Sequence, residues 1–369
     1  MIDDHVHPFP LAFEPLELSR FTLDVEPGEA AEQRRVTLDR TRVVSEMTRV
    51  RLARFLDCDV EDAVAARDRR AREDWPGHVR ALFSDAGTTG MLMDAGWQGL
   101  PPGGAERYAD VSGVPVWELV RLETLVDRLM GEGMSVTEIL SAVDAYMEQA
   151  VRDGAVGFKT ILAYRTGLAV DVTADRDRAE RELAADRAGG VAVRRSGKGL
   201  RDLVFLRTLE RCADLRRPLQ VHTGFGDSEI RLAEADPLLL DEALRTPAAA
   251  AVDVVLIHGS FPWHEQAAYL AAVRPRVWTE LSLSNLFSPA TTADRLLRLL
   301  DMAPAARITL GSDGHGPPES HWLGMLVLRD AWQEVRTRMQ NLVTQRWLDK
   351  TAHAIFEGNA RNLYGLGER

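Results

Sequence analysis

The chain has 369 residues, of which 45% are hydrophobic and 27% are charged, a composition typical of globular proteins with a buried core. Its formal net charge is −11 at pH 7, which disfavours a nucleic-acid partner because a phosphate backbone selects basic surfaces. The two cysteines, Cys58 and Cys212, form neither a Cys-X-X-Cys pair nor a thiolate zinc cluster.

The sequence shows no sign of a secretory or membrane segment. No basic-then-apolar leader opens it, and no apolar run approaches the ~20 residues that span a bilayer. The low cysteine content also fits a reducing compartment. We therefore expect a cytoplasmic protein without a membrane partner.

The first candidate site lies at the start of the chain. Residues 2–7 are interpreted as a short strand that Pro8 ends, and they carry His5 and His7 two positions apart. Side chains alternate faces along a strand, so both imidazoles are expected on the same side. Two adjacent imidazoles suit a divalent cation such as zinc, although such a pair standing alone is more often an accident.

A helical pattern follows over residues 35–85. Apolar residues such as Val43, Met47 and Phe55 recur there at roughly helical spacing. The segment is longer than one crossover between parallel strands requires. We expect a helical insertion between the first and second strands, packed on or over the mouth of the barrel that the later strands predict.

Short strand-like runs alternate with helical patterns along the chain. The runs are 2–7, 90–94, 115–123, 154–159, 219–222, 253–257, 277–283 and 308–312. The clearest helical patterns are 136–152, 203–215, 237–244, 264–273 and 292–300, and C-terminal helices are expected over 318–369. This alternation favours an α/β fold, a single (β/α)8 TIM barrel spanning residues 1–369, over a doubly wound open sheet.

Polar residues close four of the apolar runs. In a parallel barrel the carboxyl ends of the strands meet at one face, where the catalytic residues of such barrels lie. The sequence therefore predicts that these side chains gather with the two N-terminal histidines. The alternative is that each is structural, or caps a turn. The residues are Lys159, His222, His258 and Asp313.

This arrangement resembles the amidohydrolase superfamily, which has His-x-His on the first strand, Lys on the fourth, His on the fifth and sixth, and Asp on the eighth. Segments 158–168, 221–227 and 312–315 are similar to the amidohydrolase-like domain that precedes a glutamine synthetase domain in fungal FluG and plant nodulin-type proteins. Stand-alone bacterial relatives of that domain include hydrolases of γ-glutamyl amides. The chain stops soon after Tyr364, so we expect a stand-alone hydrolase.

The resemblance implies a metal centre at the strand ends. His5, His7 and Asp313 would hold the more buried divalent metal, zinc or else manganese, with His222 as a further ligand. His258 would bind a second metal, or would hydrogen-bond the attacking water and the developing oxyanion. Metal-bound water has its pKa lowered toward ~7, and Asp313 would take its proton and return it to the leaving amine.

Lys159 has three interpretations. In binuclear members of the superfamily the equivalent lysine is carboxylated and bridges two metals, whereas other members work with one ion. An unmodified Lys159 would instead pair with a substrate carboxylate, or form a plain salt bridge. The sequence leaves these interpretations, and the number of ions, open.

Candidates for substrate binding lie in the loops. Arg165 follows the fourth strand, and its guanidinium suits a two-point clamp on an α-carboxylate, with Tyr164 beside it. The alternative is a surface arginine at a helix start. His315 is a candidate substrate contact, and Asp94 and Glu123 are weaker candidates. The remaining histidines, interpreted as structural or exposed, are His78, His264, His321 and His353.

The sequence therefore predicts a metal-dependent amidohydrolase that cleaves a C–N bond of a small carboxylate-bearing substrate, with γ-glutamyl amides as one candidate class. The first alternative is a decarboxylase or isomerase, since the superfamily includes non-hydrolytic members. The second is a non-catalytic barrel, against which the full ligand set argues. A small molecule is the expected partner, and homo-oligomerisation is left open.

Overall fold

A computed structural model of the protein describes residues 1–21, 23, 41–96, 100–101 and 103–367. The described residues form an eight-stranded parallel sheet in which each strand pairs with the next one along the chain. The strands are β1 (Ile2–Val6), β2 (Gly90–Asp94), β3 (Val116–Arg121), β4 (Gly157–Thr160), β5 (Leu219–His222), β6 (Val254–Ile257), β7 (Val277–Leu281) and β8 (Ile308–Leu310).

Backbone hydrogen bonds join the last strand to the first. The amide of Asp313 donates to the carbonyl of His5 at 2.9 Å, and the amide of His7 donates to the carbonyl of Gly314 at 2.8 Å. The predicted (β/α)8 barrel is thereby confirmed. These bonds also hold the segment after β8 against the end of β1.

Helices follow the strands and cover the barrel. The helix predicted over residues 136–152 is confirmed, because its periodic residues Ile139, Val143 and Met147 are buried. No helix in the described part of the chain combines the length and the apolar character needed to cross a bilayer. The helices are α1 (Val43–Leu56), α2 (Ala63–Glu73), α3 (Trp75–Ala86), α4 (Gly104–Ser112), α5 (Glu123–Gly131), α6 (Val136–Arg152), α7 (Arg176–Ala188), α8 (Lys198–Leu215), α9 (Asp241–Leu244), α10 (His264–Val273), α11 (Ser284–Phe287), α12 (Thr292–Met302), α13 (Pro318–Met339), α14 (Gln345–His353) and α15 (Asn359–Tyr364).

Helices α1, α2 and α3 occupy most of the segment predicted as a helical insertion. Residues 35–40 of that prediction lie outside the described residues. Arg67 of α2 donates from Nε to Oε1 of Glu319 in α13 at 2.5 Å, and His78 of α3 lies 2.8 Å from the same oxygen. The segment is therefore tied by buried charges to the first C-terminal helix. That the segment is an insertion into a single domain stays a prediction.

The barrel interior is polar one layer below the strand ends. Thr309 donates its hydroxyl to Asp4 at 2.6 Å, and the Gln220 amide donates to the Tyr364 hydroxyl at 2.7 Å and to the Asp4 carbonyl at 3.0 Å. Burial raises the pKa of Asp4 to about 8, against the effect of the Thr309 hydrogen bond. Helix α15 thus contributes Tyr364 to the barrel interior beneath the site.

Candidate metal centre

Two imidazoles and a carboxylate meet at the ends of β1 and β8. His5 Nε2 lies 3.3 Å from Asp313 Oδ1, and His7 Nε2 lies 3.5 Å from the same oxygen. Among the described residues these three form a group whose ligand atoms all lie within 4.8 Å of one another. The alternation along β1 places both histidines on one side, and the bonds that close the ring bring Asp313 to them.

The hydrogen bonds around this group leave it suited to a cation. His7 Nδ1 lies 2.9 Å from the carbonyl oxygen of Asp94, which can only accept, so in the neutral ring Nδ1 carries the proton and Nε2 presents its lone pair to Asp313. Asp313 Oδ1 is buried and has no hydrogen-bond partner within the described ranges. A lone pair and a carboxylate oxygen repel unless a cation lies between them. The donor set therefore fits a divalent metal.

The pKa shifts of the two histidines have opposite directions. Burial, followed by the charges of Lys159 and His7, lowers the pKa of His5 well below 6.5, so the His5 ring is neutral. Burial also acts to lower the pKa of His7, but the neighbouring Asp313 carboxylate outweighs it and raises that pKa, which favours a proton on Nε2 that a bound cation would replace. The same negative charge favours a metal cation at this point.

Two of the strand-end residues have left-handed backbones. His258 has φ +68° and Asp313 has φ +53°, in a region that residues other than glycine rarely adopt. Such a conformation costs ~1–3 kcal/mol and persists where the surrounding structure enforces it, most often at functional sites. For Asp313 the enforcing contact is the hydrogen bond from its backbone amide to the His5 carbonyl, at 2.9 Å.

His222 and His258, at the ends of β5 and β6, form a second pair next to the first group. His222 Nδ1 lies 3.0 Å from His258 Nε2, and the ring centroid of His258 lies 5.6 Å from that of His5. His222 Nε2 lies 3.1 Å from the Phe225 carbonyl oxygen, so it carries the proton and leaves Nδ1 with a lone pair. The sequence prediction joined His222 to the first group, whereas the structure places it against His258.

Ser282 and Glu280 determine which nitrogen of His258 carries the proton. The Ser282 hydroxyl donates to Glu280 Oε2 at 2.8 Å, and that oxygen also accepts the His258 amide at 3.0 Å. Ser282 Oγ therefore accepts from His258 Nδ1, which lies 2.8 Å away. His258 Nε2 is left with a lone pair that faces the lone pair of His222. Burial lowers the pKa of both rings well below 6.5, so this pair too is arranged for a metal cation.

Sequence reasoning missed Ser282 and Glu280. Both lie in the run interpreted as the seventh strand, two positions apart, and so share a face of it. Both are fully buried. The alternation along that run was the available signal, because it places two polar side chains toward the interior.

Lys159 lies beside the first group. Its Nζ is 3.5 Å from His5 Nε2, and the side chain is buried. Burial lowers the pKa of Lys159 to about 8, with Asp94 acting in the opposite direction. The predicted position at the centre is therefore observed, while carboxylation of this lysine stays a prediction.

Tyr164 and His315 line the same cavity, as the sequence predicted for substrate contacts. The Tyr164 hydroxyl accepts the amide of Asp227 at 3.0 Å, which leaves its own proton to donate. The Tyr164 ring lies 4.7 Å from that of His222, between centroids. His315 Nδ1 lies 3.0 Å from the Asp313 carbonyl oxygen, so the ring is held close to the metal centre.

Arg165 does not reach the cavity. Its Nε and Nη2 lie 3.0 Å and 2.9 Å from Asp127 Oδ2, and the residue is 2% exposed. Arg201 pairs with the other oxygen of Asp127 at 2.7 Å. Because the Arg165 guanidinium is directed to this buried carboxylate, we withdraw its predicted role as a substrate clamp.

A cavity of about 620 Å³ opens over the metal centre. All the predicted metal ligands line it, together with charged residues that sequence reasoning did not assign: Arg121, Arg194, Asp227 and Glu229. Arg121 ends the third strand and is in register with Lys159 of the fourth. That strand-end position was a usable signal, whereas Arg194 lies in a single 3-10 turn, Val193–Arg195, whose side-chain directions no sequence period predicts.

The weaker candidates and two of the remaining histidines have structural partners. Asp94 is paired with Arg121 at 2.6 Å, and Glu123 accepts the Thr160 hydroxyl and is not among the described residues that line this cavity. His78 pairs with Glu319, and His321 Nε2 lies 2.9 Å from the His7 carbonyl oxygen. The last contact fixes the segment that carries His7.

Comparison with known proteins gives one family. Residues 2–366 match the family model described as Amidohydrolase. The FluG protein of Emericella nidulans is 29% identical to this chain over 345 residues, which cover 84% of this chain. The match covers 39% of that relative, so the chain spans well under half of its length.

Two solved structures share the fold at low sequence identity. A protein named as a metal-dependent hydrolase from Lactobacillus casei has a TM-score of 0.84 at 24% identity, over 99% of this chain and 94% of that one. A uronate isomerase from Thermotoga maritima has a TM-score of 0.65 at 14% identity, over 87% of this chain and 78% of that one. At these identities the likeness establishes the barrel fold and leaves the reaction open.

Proposed function

This chain belongs to the amidohydrolase family, and we propose that within it the protein is a metal-dependent hydrolase that cleaves a C–N amide bond of a small carboxylate-bearing substrate. A γ-glutamyl amide is our candidate substrate. One observation carries the proposal: His5, His7 and Asp313 converge within 4.8 Å at the mouth of the barrel, with the His222–His258 pair alongside in one cavity.

We propose zinc as the metal, with manganese as the next candidate, because neutral imidazoles and a carboxylate suit both ions. His5, His7 and Asp313 would hold one ion. The facing lone pairs of His222 and His258 would hold a second, with a carboxylated Lys159 between the two sites. When bound, such an ion lowers the pKa of water and polarises a carbonyl oxygen.

The residues of this chain would supply the proton transfers and the positioning. With Oδ1 of Asp313 directed to the two histidines, we assign the Asp313 carboxylate to accept the proton of the attacking water and pass it to the leaving amine. If a single ion is bound, the Nε2 lone pair of His258 would instead accept a hydrogen bond from the attacking water, and contact with the developing oxyanion would require the proton to move to Nε2. Tyr164, whose oxygen already accepts from Asp227, would donate its proton to the substrate.

The cavity also supports an acidic, small-molecule substrate. Its volume of about 620 Å³ lies within the range of small-ligand sites, and its lining includes Arg121, Arg194 and Lys159. We further propose a cytoplasmic location, which the low cysteine content supports.

A panel of γ-glutamyl amides and matched uncharged amides, assayed for released amine, tests the proposal. We expect amine release that is lost after chelation and restored by added zinc. Formation of carbon dioxide or of an isomer without amine would instead indicate a decarboxylase or an isomerase. Amine release that survives complete metal removal would contradict the assigned metal centre.

A further inference from the structure

Arg121 stands at the cavity in a fixed orientation. Its Nε and Nη2 lie 3.0 Å and 2.6 Å from one oxygen of Asp94, Oδ2. The other oxygen, Oδ1, accepts the amide of Gly96 at 2.9 Å, and Asp94 itself is fully buried. Because both donors go to one carboxylate oxygen, the third guanidinium nitrogen, Nη1, is not committed to Asp94.

Arg121 Nη1 lies beside Gly96. Gly96 lines the cavity, and a Cβ placed on it would stand 3.9 Å from Arg121 Nη1. The Arg121 side chain is 13% exposed, and the residue itself lines the cavity. A guanidinium that is held by a buried carboxylate and presents an N–H edge to a cavity is preorganised to bind an anion, particularly a carboxylate.

The other arginines near the cavity are less suited to this role. Arg194 is 38% exposed and pairs with Glu229, another residue of the cavity lining. Arg165 is directed to Asp127. Arg121 is therefore the arginine that is both mostly buried and held in orientation by a buried carboxylate, Asp94, at the edge of this cavity.

The spacing of the strands limits the size of the ligand. Arg121 ends β3 and the first metal ligands end β1, so two strand spacings, roughly 10 Å, separate the backbones that carry them. Both sets of side chains reach inward across part of this distance. A small substrate with a carboxylate at one end and an amide at the other could therefore contact both Arg121 and the metal centre.

We propose that Arg121, oriented by Asp94, is the specificity-determining residue that binds the substrate carboxylate remote from the metal centre. This inference rests on the proposed function, which supplies the amide at the other end of the cavity. It replaces the clamp that the sequence had placed at Arg165.

The binding test uses glutarate, a five-carbon dicarboxylate, titrated into the zinc-loaded protein by calorimetry. The variant Asp94→Asn/Arg121→Gln removes both charges together, so that no buried charge is left unpaired. We expect about 10- to 100-fold weaker glutarate binding, the range for loss of a hydrogen bond to a charged group. Arg121→Lys, which keeps the charge but loses the planar fork, should also weaken binding. Arg165→Lys is the matched control and should leave the affinity unchanged.

The kinetic test compares matched acidic and neutral amides. In the double variant kcat/KM should fall for the acidic amide, while the value for the neutral amide stays close to that of the wild type. If amides are hydrolysed but the ratio of kcat/KM for the acidic amide to that for the neutral amide is the same in the double variant and the wild type, the Arg121 inference is wrong and the proposed function stands. If no amide is hydrolysed but glutarate binding still depends on Arg121, the anion site stands and the proposed reaction fails. Glutarate binding that is absent in the wild type, or equal in the double variant, overturns the inference.

Discussion

Replacing Ser282 with alanine should weaken metal binding without removing a metal ligand. Ser282 links Glu280 to His258 through two hydrogen bonds of 2.8 Å. With the hydroxyl gone, His258 has two outcomes. It keeps the proton on Nδ1, which is then buried without a partner, or it moves the proton to Nε2 and donates to His222 Nδ1, which lies 3.0 Å away. The second outcome removes the lone pair that a metal needs.

Both outcomes should weaken zinc binding by a similar free energy. An unpaired donor in a residue that is 1% exposed costs ~1–3 kcal/mol. In the second outcome, metal binding must return the proton from Nε2 to Nδ1, which then lies buried without a partner. The free-energy cost is therefore the same. Since ~1.4 kcal/mol is tenfold in affinity, we expect zinc to bind the His222–His258 pair roughly 10- to 100-fold more weakly, in line with losses measured for partners of ligating histidines.

Zinc affinity and stoichiometry, measured by competition with a chelator and by elemental analysis, check the magnitude. Nitrogen-15 spectra of labelled histidines in the metal-free protein check the cause, because they distinguish the two protonated nitrogens. Ser260→Ala is the control, since the Ser260 hydroxyl bonds Thr223 at 2.7 Å rather than a candidate ligand. Wild-type zinc affinity in Ser282→Ala, or a proton on Nε2 of His258 in the metal-free wild type, would refute the reasoning.

Three further predictions follow from the site and the fold. Replacing both histidines of the N-terminal His-x-His segment with alanine should remove most bound metal, and unchanged metal content would show the ligand assignment to be wrong. Asp313→Asn should lower turnover ~100-fold or more, compared at equal metal occupancy, because it removes the general base. Glu319→Gln should lower the free energy of unfolding by ~1.5–3 kcal/mol in urea titrations, since it removes the buried carboxylate that accepts from Arg67 and leaves Asp68 as the carboxylate partner of that guanidinium. Burial acts to raise the pKa of Glu319, but His78 and Arg67 outweigh it and lower that pKa. Its contribution is therefore full above its unfolded pKa of ~4.3 and lost as pH falls further, so stability should depend less on acid pH in the variant than in the wild type.

The sequence by itself determined the barrel and most of the residues that gather in the candidate metal centre. Apolar runs that alternate with amphipathic helices leave few folds besides a parallel barrel, and such a barrel collects its strand ends at one face. The gathering of Lys159, His222, His258 and Asp313 follows from that topology alone. The common orientation of His5 and His7 follows from the two-residue period of a strand.

Only the tertiary structure decided that Arg121 rather than Arg165 lines the cavity. Arg121 lies on a strand and in register with Lys159, so its inward direction follows from the strand period. Arg165 follows a single 3-10 turn, Leu162–Tyr164, and no sequence period governs the direction of its side chain. It pairs with Asp127, 38 positions earlier in the chain, because α5 brings that carboxylate next to it. Ion-pair partners are chosen by proximity in space, and local patterns of sequence do not encode that proximity.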